Sequence, residues 1–194
     1  MTLKPLLYYV FVAVCLPLIA CSNGHAEHHH GEDGHTHDDE AAHAKAHYLA
    51  NSAILISQGE TKILFDPLFH NNFGQYQLVP DEVRAKIMAD IEAFEGVDAV
   101  FISHAHGDHF NAGDANQYME SQAGARFIAP QQAVDAMQKD SRWNDDFISR
   151  IIAVDLDYGA APQEIAFGDI TASAVRIPHA GWPDPRRVAV QNIV

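Results

Sequence analysis

Four residues able to bind a metal ion occur within the six-residue string His-Ala-His-Gly-Asp-His at positions 104–109. The apolar run before it, residues 99–103, has the composition of a buried strand. Alternate side chains of a strand lie on one side, so His104 and His106 can face a common point. A turn at the glycine would let the last two residues of the string face a second point. Imidazole and carboxylate ligands at this spacing indicate a metal site, and they suit zinc.

A metal ion in this position predicts hydrolytic chemistry. Zinc bound by neutral histidine lowers the pKa of a coordinated water toward ~7, which yields a metal-bound hydroxide as nucleophile, and it polarises the bond under attack. Asp108 is the candidate catalytic residue, orienting this water or accepting its proton. The sequence lacks the motifs of serine hydrolases, NTPases and dinucleotide-binding enzymes. We therefore expect a zinc-dependent hydrolase of a small ester-, lactone-, phosphoester- or amide-type substrate.

Strands alternate with helices over residues 48–194, which predicts an α/β layered sandwich. The patterns predict strands at 48–57, 61–65, 99–103, 126–129, 151–154, 164–167, 170–177 and 188–194. They predict helices at 81–94, 112–122 and 130–139. The string at 104–109 would then join a buried strand to a helix.

Composition limits the partners that the chain can have. Its 194 residues carry 12 Lys and Arg against 26 Asp and Glu, a formal net charge of −14. Nucleic acid is excluded as an expected partner because phosphate binding needs clustered basic side chains. The two cysteines, Cys15 and Cys21, both lie near the N-terminus, so a metal in the domain must be held by His and carboxylates.

The N-terminus has the pattern of an export signal. A basic start precedes an apolar stretch of 15 residues at 6–20, which is short of the ~20 residues of a membrane span but typical of a secretory signal. The sequence Leu-Ile-Ala-Cys ending at Cys21 resembles the lipobox of bacterial lipoproteins. We predict a lipoprotein signal peptide at 1–20, lipidation of Cys21, and an exported chain anchored to a bacterial membrane and facing the periplasm. An uncleaved N-terminal anchor is the alternative.

Residues 21–47 form an acidic, His-rich segment that predicts a flexible tether. Eight of the 13 histidines lie between positions 25 and 47. Two interpretations stay open, accessory metal capture and a hydrophilic spacer. The candidates for capture are His28, His29, His30, His35 and His37.

The domain at 48–194 resembles the metallo-β-lactamase superfamily. It is most similar to the stand-alone metal-dependent hydrolases, which include ascorbate-6-phosphate lactonase and phospholipase-D-like members. The resemblance rests on Leu-Phe-Asp-Pro at 64–67, Phe-Ile-Ser-His at 101–104, the string at 104–109 and Ile-Pro-His at 177–179. It implies an αββα four-layer sandwich with two zinc ions, or other divalent metals, at one edge.

The resemblance also implies a ligand set. The first metal would be held by His104, His106 and His179, and the second site would begin with Asp108 and His109. Asp66 would support the site from behind its ligands, although an Asp before Pro67 also suits a turn. His179 likewise has the alternative of a turn histidine.

Two further ligands of the family, a bridging Asp and a later His, are not evident. After His179 the sequence has Asp184 and no histidine, and it stops inside the apolar run 188–194. We therefore expect the sequence to be a fragment of a longer protein, with the second half of the sandwich incomplete. A genuinely shortened domain is the alternative.

Substrate contacts are predicted in the segment 181–187, Gly-Trp-Pro-Asp-Pro-Arg-Arg. Trp182 could contact a substrate, and Arg186 or Arg187 could bind an anion, with Arg186 taken as the candidate. A rigid proline turn with solvated arginines is the alternative. Two functions remain open for the whole chain: the metal-dependent hydrolase, and a non-catalytic periplasmic lipoprotein that binds or buffers zinc.

Overall fold

The computed structural model describes residues 43–194, which contain a six-stranded sheet with its strands in chain order. The strands are β1 (Lys45–Ala50), β2 (Ala53–Gln58), β3 (Thr61–Phe65), β4 (Ala99–Phe101), β5 (Arg126–Pro130) and β6 (Ile151–Val154). The first three pair antiparallel, and β3 to β6 pair parallel. Parallel neighbours need crossover connections, and helices lie in those connections.

Three helices cover one face of this sheet. They are α1 (Asp81–Ala89), α2 (Ala112–Ser121) and α3 (Gln131–Lys139), with 3-10 turns at Glu92–Phe94 and Asp145–Arg150. Each buries apolar side chains in a common core with the sheet, among them Ile87, Tyr118 and Met137. Val100 and Phe127 are two of the sheet residues that belong to this core. The helices that the sequence predicts at 112–122 and 130–139 are confirmed within one residue at each end.

The opposite face of the sheet packs against further strands. The hairpin of β7 (Gln163–Phe167) and β8 (Ile170–Ala174) covers Ile128 and Val154 there. A second pair is formed by β9 (Arg176–Ile177) and β10 (Asn192–Ile193). The predicted α/β sandwich is therefore confirmed, with helices on one side of the main sheet and β-structure on the other.

The predicted strand at 48–57 is wrong, because the chain reverses within it. β1 begins at Lys45, inside the predicted tether, and ends at Ala50, and β2 returns antiparallel from Ala53. Asn51 at the reversal has a φ of 35°, in the left-handed region that Asn tolerates better than most residues. This turn brings two polar residues to the edge of the sheet where the ligand string lies.

The predicted helix at 81–94 is too long. It ends at Ala89 because Asp90 adopts a left-handed conformation and its carboxylate accepts a hydrogen bond from Gly96 N at 2.9 Å. Such local side-chain bonds offer the backbone an alternative to the helix. The 3-10 turn that follows still buries Phe94, whereas Ile91, which the helical pattern placed on the same inward face, is exposed.

The predicted strands at 170–177 and 188–194 are also corrected. The first divides into β8 and β9, which belong to different sheets. A short helix, α4 (Pro185–Val188), ends on the first residue of the second predicted strand; Asp184 caps its N-terminus and Pro185 stands at the first helical position. Only β10 remains of the predicted last strand.

Several predictions concern residues outside 43–194. The signal peptide at 1–20, lipidation of Cys21 and the capture histidines between His28 and His37 lie outside the described residues. Among the helices of residues 43–194, none has the length and apolar character required to cross a bilayer.

Candidate metal centre

The string at 104–109, which we call the ligand turn, follows the end of β4 by two residues. Its backbone closes through hydrogen bonds from His109 N (3.0 Å) and Phe110 N (2.9 Å) to His106 O. A neighbouring loop fixes it further, since Asn71 N donates to Gly107 O at 3.1 Å. The end of a buried strand thus presents the side chains of this turn in one conformation.

Three histidines converge at this turn, as the sequence predicts. The potential ligand atoms of His104, His106 and His179 lie within 4.8 Å of one another. His104 Nε2 and His179 Nε2 are 3.3 Å apart. Two imidazole nitrogens bound to one tetrahedral zinc ion at ~2.0–2.1 Å would be separated by about 3.3–3.4 Å. The donor types and their spacing therefore fit a zinc ion.

The electrostatics also suit a metal ligand. Burial, together with the charges of the neighbouring His109, His106 and His179, lowers the pKa of His104 to about 3. The pKa of His106 is lowered as well, first by burial and then by the charges of His179 and Arg187, against the opposing effect of Asp108. Both imidazoles are thus held neutral near pH 7, which is the form that binds a metal.

A second group of potential ligands shares His104. Its ligand atom lies within 4.8 Å of those of Asp108 and His109. The Asp108 carboxylate stands 3.7 Å from His109 Nε2. The structure therefore brings all five residues predicted as metal ligands into one cluster, although their roles remain predictions.

Asp66 lies directly behind this cluster. Its Oδ1 accepts a hydrogen bond from Ser103 N at 2.7 Å and its Oδ2 one from Ser103 Oγ at 2.6 Å. His109 Nδ1 lies 2.8 Å from Oδ2. A carboxylate that contacts Nδ1 of a histidine favours the tautomer with its proton on Nδ1, which leaves Nε2 able to bind a metal. The predicted supporting position of Asp66 agrees with these contacts.

The sequence reasoning missed three polar residues at the site. Ser103 Oγ lies 3.0 Å from His104 Nδ1, and Ser52 Oγ lies 2.9 Å from His109 Nδ1. Asn51 Nδ2 donates to the backbone oxygen of Asp108 at 2.9 Å. Ser103 could have been suspected because it directly precedes the string. Asn51 could not, because its position depends on the reversal between β1 and β2.

The predicted substrate contacts lie in the segment around His179. Trp182 is 47% exposed, and its ring meets the Tyr158 ring edge-on at a centroid distance of 4.8 Å. Arg186 pairs with Asp184 through two hydrogen bonds, of 3.1 and 2.6 Å. Its neighbour Arg187 is the arginine whose charge acts on His106.

Residues 45–194 match a family model described as a beta-lactamase superfamily domain. The match covers most of the chain and all the strands of the sandwich. The chain therefore belongs to the metallo-β-lactamase superfamily, as the sequence motifs predict.

Curated relatives match over shorter stretches. A metal-dependent hydrolase from Thermus thermophilus is 33% identical over 63 residues, which are 32% of this chain and 22% of that protein. One from Aeropyrum pernix is 32% identical over 92 residues, 47% of this chain and 32% of that protein. A solved metallo hydrolase from Ignicoccus hospitalis is 26% identical, with a TM-score of 0.37, over 62% of this chain and 42% of that one. The chain thus matches at most a third of the length of these curated relatives.

Proposed function

We propose that the protein is a metal-dependent hydrolase that uses one or two zinc ions on a small substrate with an ester, lactone, phosphoester or amide bond. The observation that carries this proposal is the convergence of three histidines beside a buried aspartate at the end of β4. The names of the relatives from Thermus thermophilus and Aeropyrum pernix, both metal-dependent hydrolases, support the same chemistry.

Each residue of the cluster has its own proposed role in metal binding or hydrolysis. His104, His106 and His179 would hold one metal ion, and Asp108 and His109 would begin a second site. A bound zinc ion polarises the bond under attack and lowers the pKa of water toward ~7. Asp66 keeps the His109 ring oriented through its contact with Nδ1.

Asp108 is proposed to orient the attacking water and accept its proton. Its side chain is largely buried, and Asn51 holds its backbone. In the proposed reaction the water oxygen bonds to the acyl carbon or phosphorus, and the bond to the leaving group breaks. The proton taken by Asp108 passes to the leaving oxygen or nitrogen, so that acid and alcohol or amine are the products.

The test combines elemental analysis with hydrolysis assays on the full chain. Purified protein is expected to contain zinc and to hydrolyse at least one member of a panel of aryl esters, lactones, phosphodiesters and anilides. Turnover should disappear with a chelator and return with zinc. Bound zinc with no turnover across the panel would contradict the hydrolase and favour the second function.

That second function is a non-catalytic lipoprotein that buffers or delivers zinc. The chain runs from the His-rich segment directly into β1, and Asn51, the residue after β1, contacts the ligand turn. Deletion of residues 25–42 separates the two functions, because it leaves β1 intact. If the protein is a hydrolase, turnover persists at saturating zinc; if it delivers metal, zinc transfer to a chelating dye slows.

We also propose export and attachment to a bacterial membrane through Cys21. The support is the apolar stretch followed by the lipobox-like sequence. Labelling with an alkyne-tagged fatty acid should modify the wild-type protein and not Cys21→Ser. Equal labelling of both would contradict lipidation at this residue.

A further inference from the structure

Two adjacent arginines follow His179 and differ in their contacts. The Arg186 guanidinium is paired with Asp184, whereas that of Arg187 has no hydrogen bond or ion pair within residues 43–194. We propose that Arg187 determines specificity by binding an anionic group, a carboxylate or a phosphate, of the substrate at the three-histidine cluster. This inference rests on the proposed hydrolase function and names its substrate class.

The position of Arg187 follows from the turn after His179. Gly181 has a φ of +91°, and a Cβ built on it would lie 3.2 Å from Arg187 Cγ and 3.6 Å from Nε. The arginine side chain therefore lies across the Gly181 backbone, two residues from His179. Trp182 N closes the same turn by donating to His179 O at 3.2 Å. The turn thus carries a potential metal ligand and a cation together.

The charges of Arg186 and Arg187 both act on the Asp184 carboxylate, but only the Arg186 guanidinium is hydrogen-bonded to it. The Arg187 side chain lies across the backbone of Gly181, two residues from His179, so its charge stands in the turn that carries a potential metal ligand. A metal ion there would add further positive charge, although the chain as a whole has a net charge of −14. A substrate anion would be attracted by both cations. A planar guanidinium can meet two of its oxygens at once.

Arg187 can be replaced without removing the local fold. The contact that places it in α4 comes from its backbone, since Arg187 N donates to Asp184 O at 2.8 Å. The side chain has no such structural partner among residues 43–194. Arg186→Gln is the matched control, because it removes an adjacent arginine of equal charge whose guanidinium is already occupied by Asp184.

The first experiment measures binding of inorganic phosphate and of acetate to the zinc-loaded full chain by calorimetry. Arg187→Gln should weaken phosphate binding by roughly 10-fold or more, as expected for loss of a charged hydrogen bond. Arg187→Lys should recover part of the loss, and Arg186→Gln should stay close to wild type. Equal affinity of Arg187→Gln and wild type, equal loss in both glutamine variants, or no binding by wild type at millimolar phosphate would overturn the inference.

A second experiment compares turnover of phenyl acetate with that of 4-acetoxybenzoate, the same ester with a carboxylate. The kcat/KM for the anionic ester should fall in Arg187→Gln, mainly through KM, while that for the neutral ester is unchanged. Zinc-dependent turnover of both esters without this selectivity would overturn the inference and leave the hydrolase standing. Arg187-dependent phosphate binding without turnover of either ester or of any member of the earlier substrate panel would overturn the hydrolase and leave only an anion site at Arg187.

Discussion

The two segments that supply the histidine cluster are supported in opposite ways. The ligand turn is tied to buried and half-buried side chains from distant parts of the chain, among them Asp66, Ser52 and Asn51. Residues 178–187, which we call the His179 loop, are held mainly by bonds within the loop. Examples are Trp182 N to His179 O at 3.2 Å and Asp184 N to Gly181 O at 3.1 Å.

This contrast indicates a division of roles. Ligands whose rings are fixed by surrounding hydrogen bonds are arranged for a metal before it binds. The His179 loop instead exposes Trp182 and Arg187, the types of side chain that contact substrates. We therefore expect changes in the ligand turn to affect metal binding most, and changes in the loop other than at His179 itself to affect substrate binding.

The largest effect is expected from His106→Ala. Removal of a ligand should lower zinc affinity by at least about 100-fold and should abolish hydrolysis. This loss of affinity is larger than that expected when a residue that only supports a ligand is changed. Metal content after gel filtration and turnover measure this, and circular dichroism checks the fold.

His70→Ala is the control, since His70 contacts Arg84 and Asp114, outside the cluster. Retention of zinc and turnover in His106→Ala would show that the cluster is not the metal site. Equal loss in both variants would point to a general structural effect.

A smaller effect is expected from Asp66→Asn. The Asp66 carboxylate, in a residue that is 4% exposed, makes three polar contacts, two with Ser103 and one with His109, and the substitution disturbs them. Zinc affinity should fall by roughly 10–100-fold and stability by about 1–3 kcal/mol. Competition with a chelating dye and urea unfolding measure the two.

Asp184→Asn is the matched change in the His179 loop. Asn can still cap α4, and the lost charge pairs only with exposed Arg186. Zinc affinity should stay close to wild type. A larger loss of zinc affinity in Asp184→Asn than in Asp66→Asn would reverse the proposed division of roles.

The buried His104 should make the metal-free protein sensitive to acid. Its pKa is about 3 in the folded chain, below the ordinary 6.5, so the unfolded chain binds more protons between these values. This contribution to stability is complete above pH 6.5 and is lost as the pH falls toward 3. Between pH 6.5 and 5 the loss should be roughly 1–2 kcal/mol.

Urea unfolding of chelator-treated protein at several pH values measures this dependence. His104→Gln should show a shallower dependence on pH, because Gln does not titrate. An equal slope in the two proteins would assign the effect to other groups.

The smallest effect is expected from Ser52→Ala. His109 Nδ1 keeps its contact with Asp66 at 2.8 Å when the Ser52 hydroxyl is removed. Stability should fall by about 0.5–1.5 kcal/mol, with little change in zinc affinity. A loss of affinity as large as that of Asp66→Asn would show that Ser52, rather than Asp66, orients the His109 ring.

Much of the fold followed from local patterns. The helices α2 and α3 and the strands β3, β5 and β6 lie close to where apolar periodicity predicts them. The errors fall where a few local bonds outweigh that periodicity. Asp90 ends α1 early, and Asp184 with Pro185 starts a helix that reaches the first residue of an expected strand.

The sequence alone determined that four of the five potential ligands are neighbours, because His104, His106, Asp108 and His109 lie within six consecutive residues. The fifth, His179, is 75 residues from His104 and reaches it only through the tertiary structure. The surroundings of these ligands were decided by tertiary structure. Asn51 and Ser52 reach Asp108 and His109 across 57 residues, through a chain reversal that no periodicity indicates. The folding of the His179 loop over Gly181 likewise leaves Arg187 without a hydrogen-bonded carboxylate, whereas Arg186 has one in Asp184. The order of residues in the sequence does not indicate this difference.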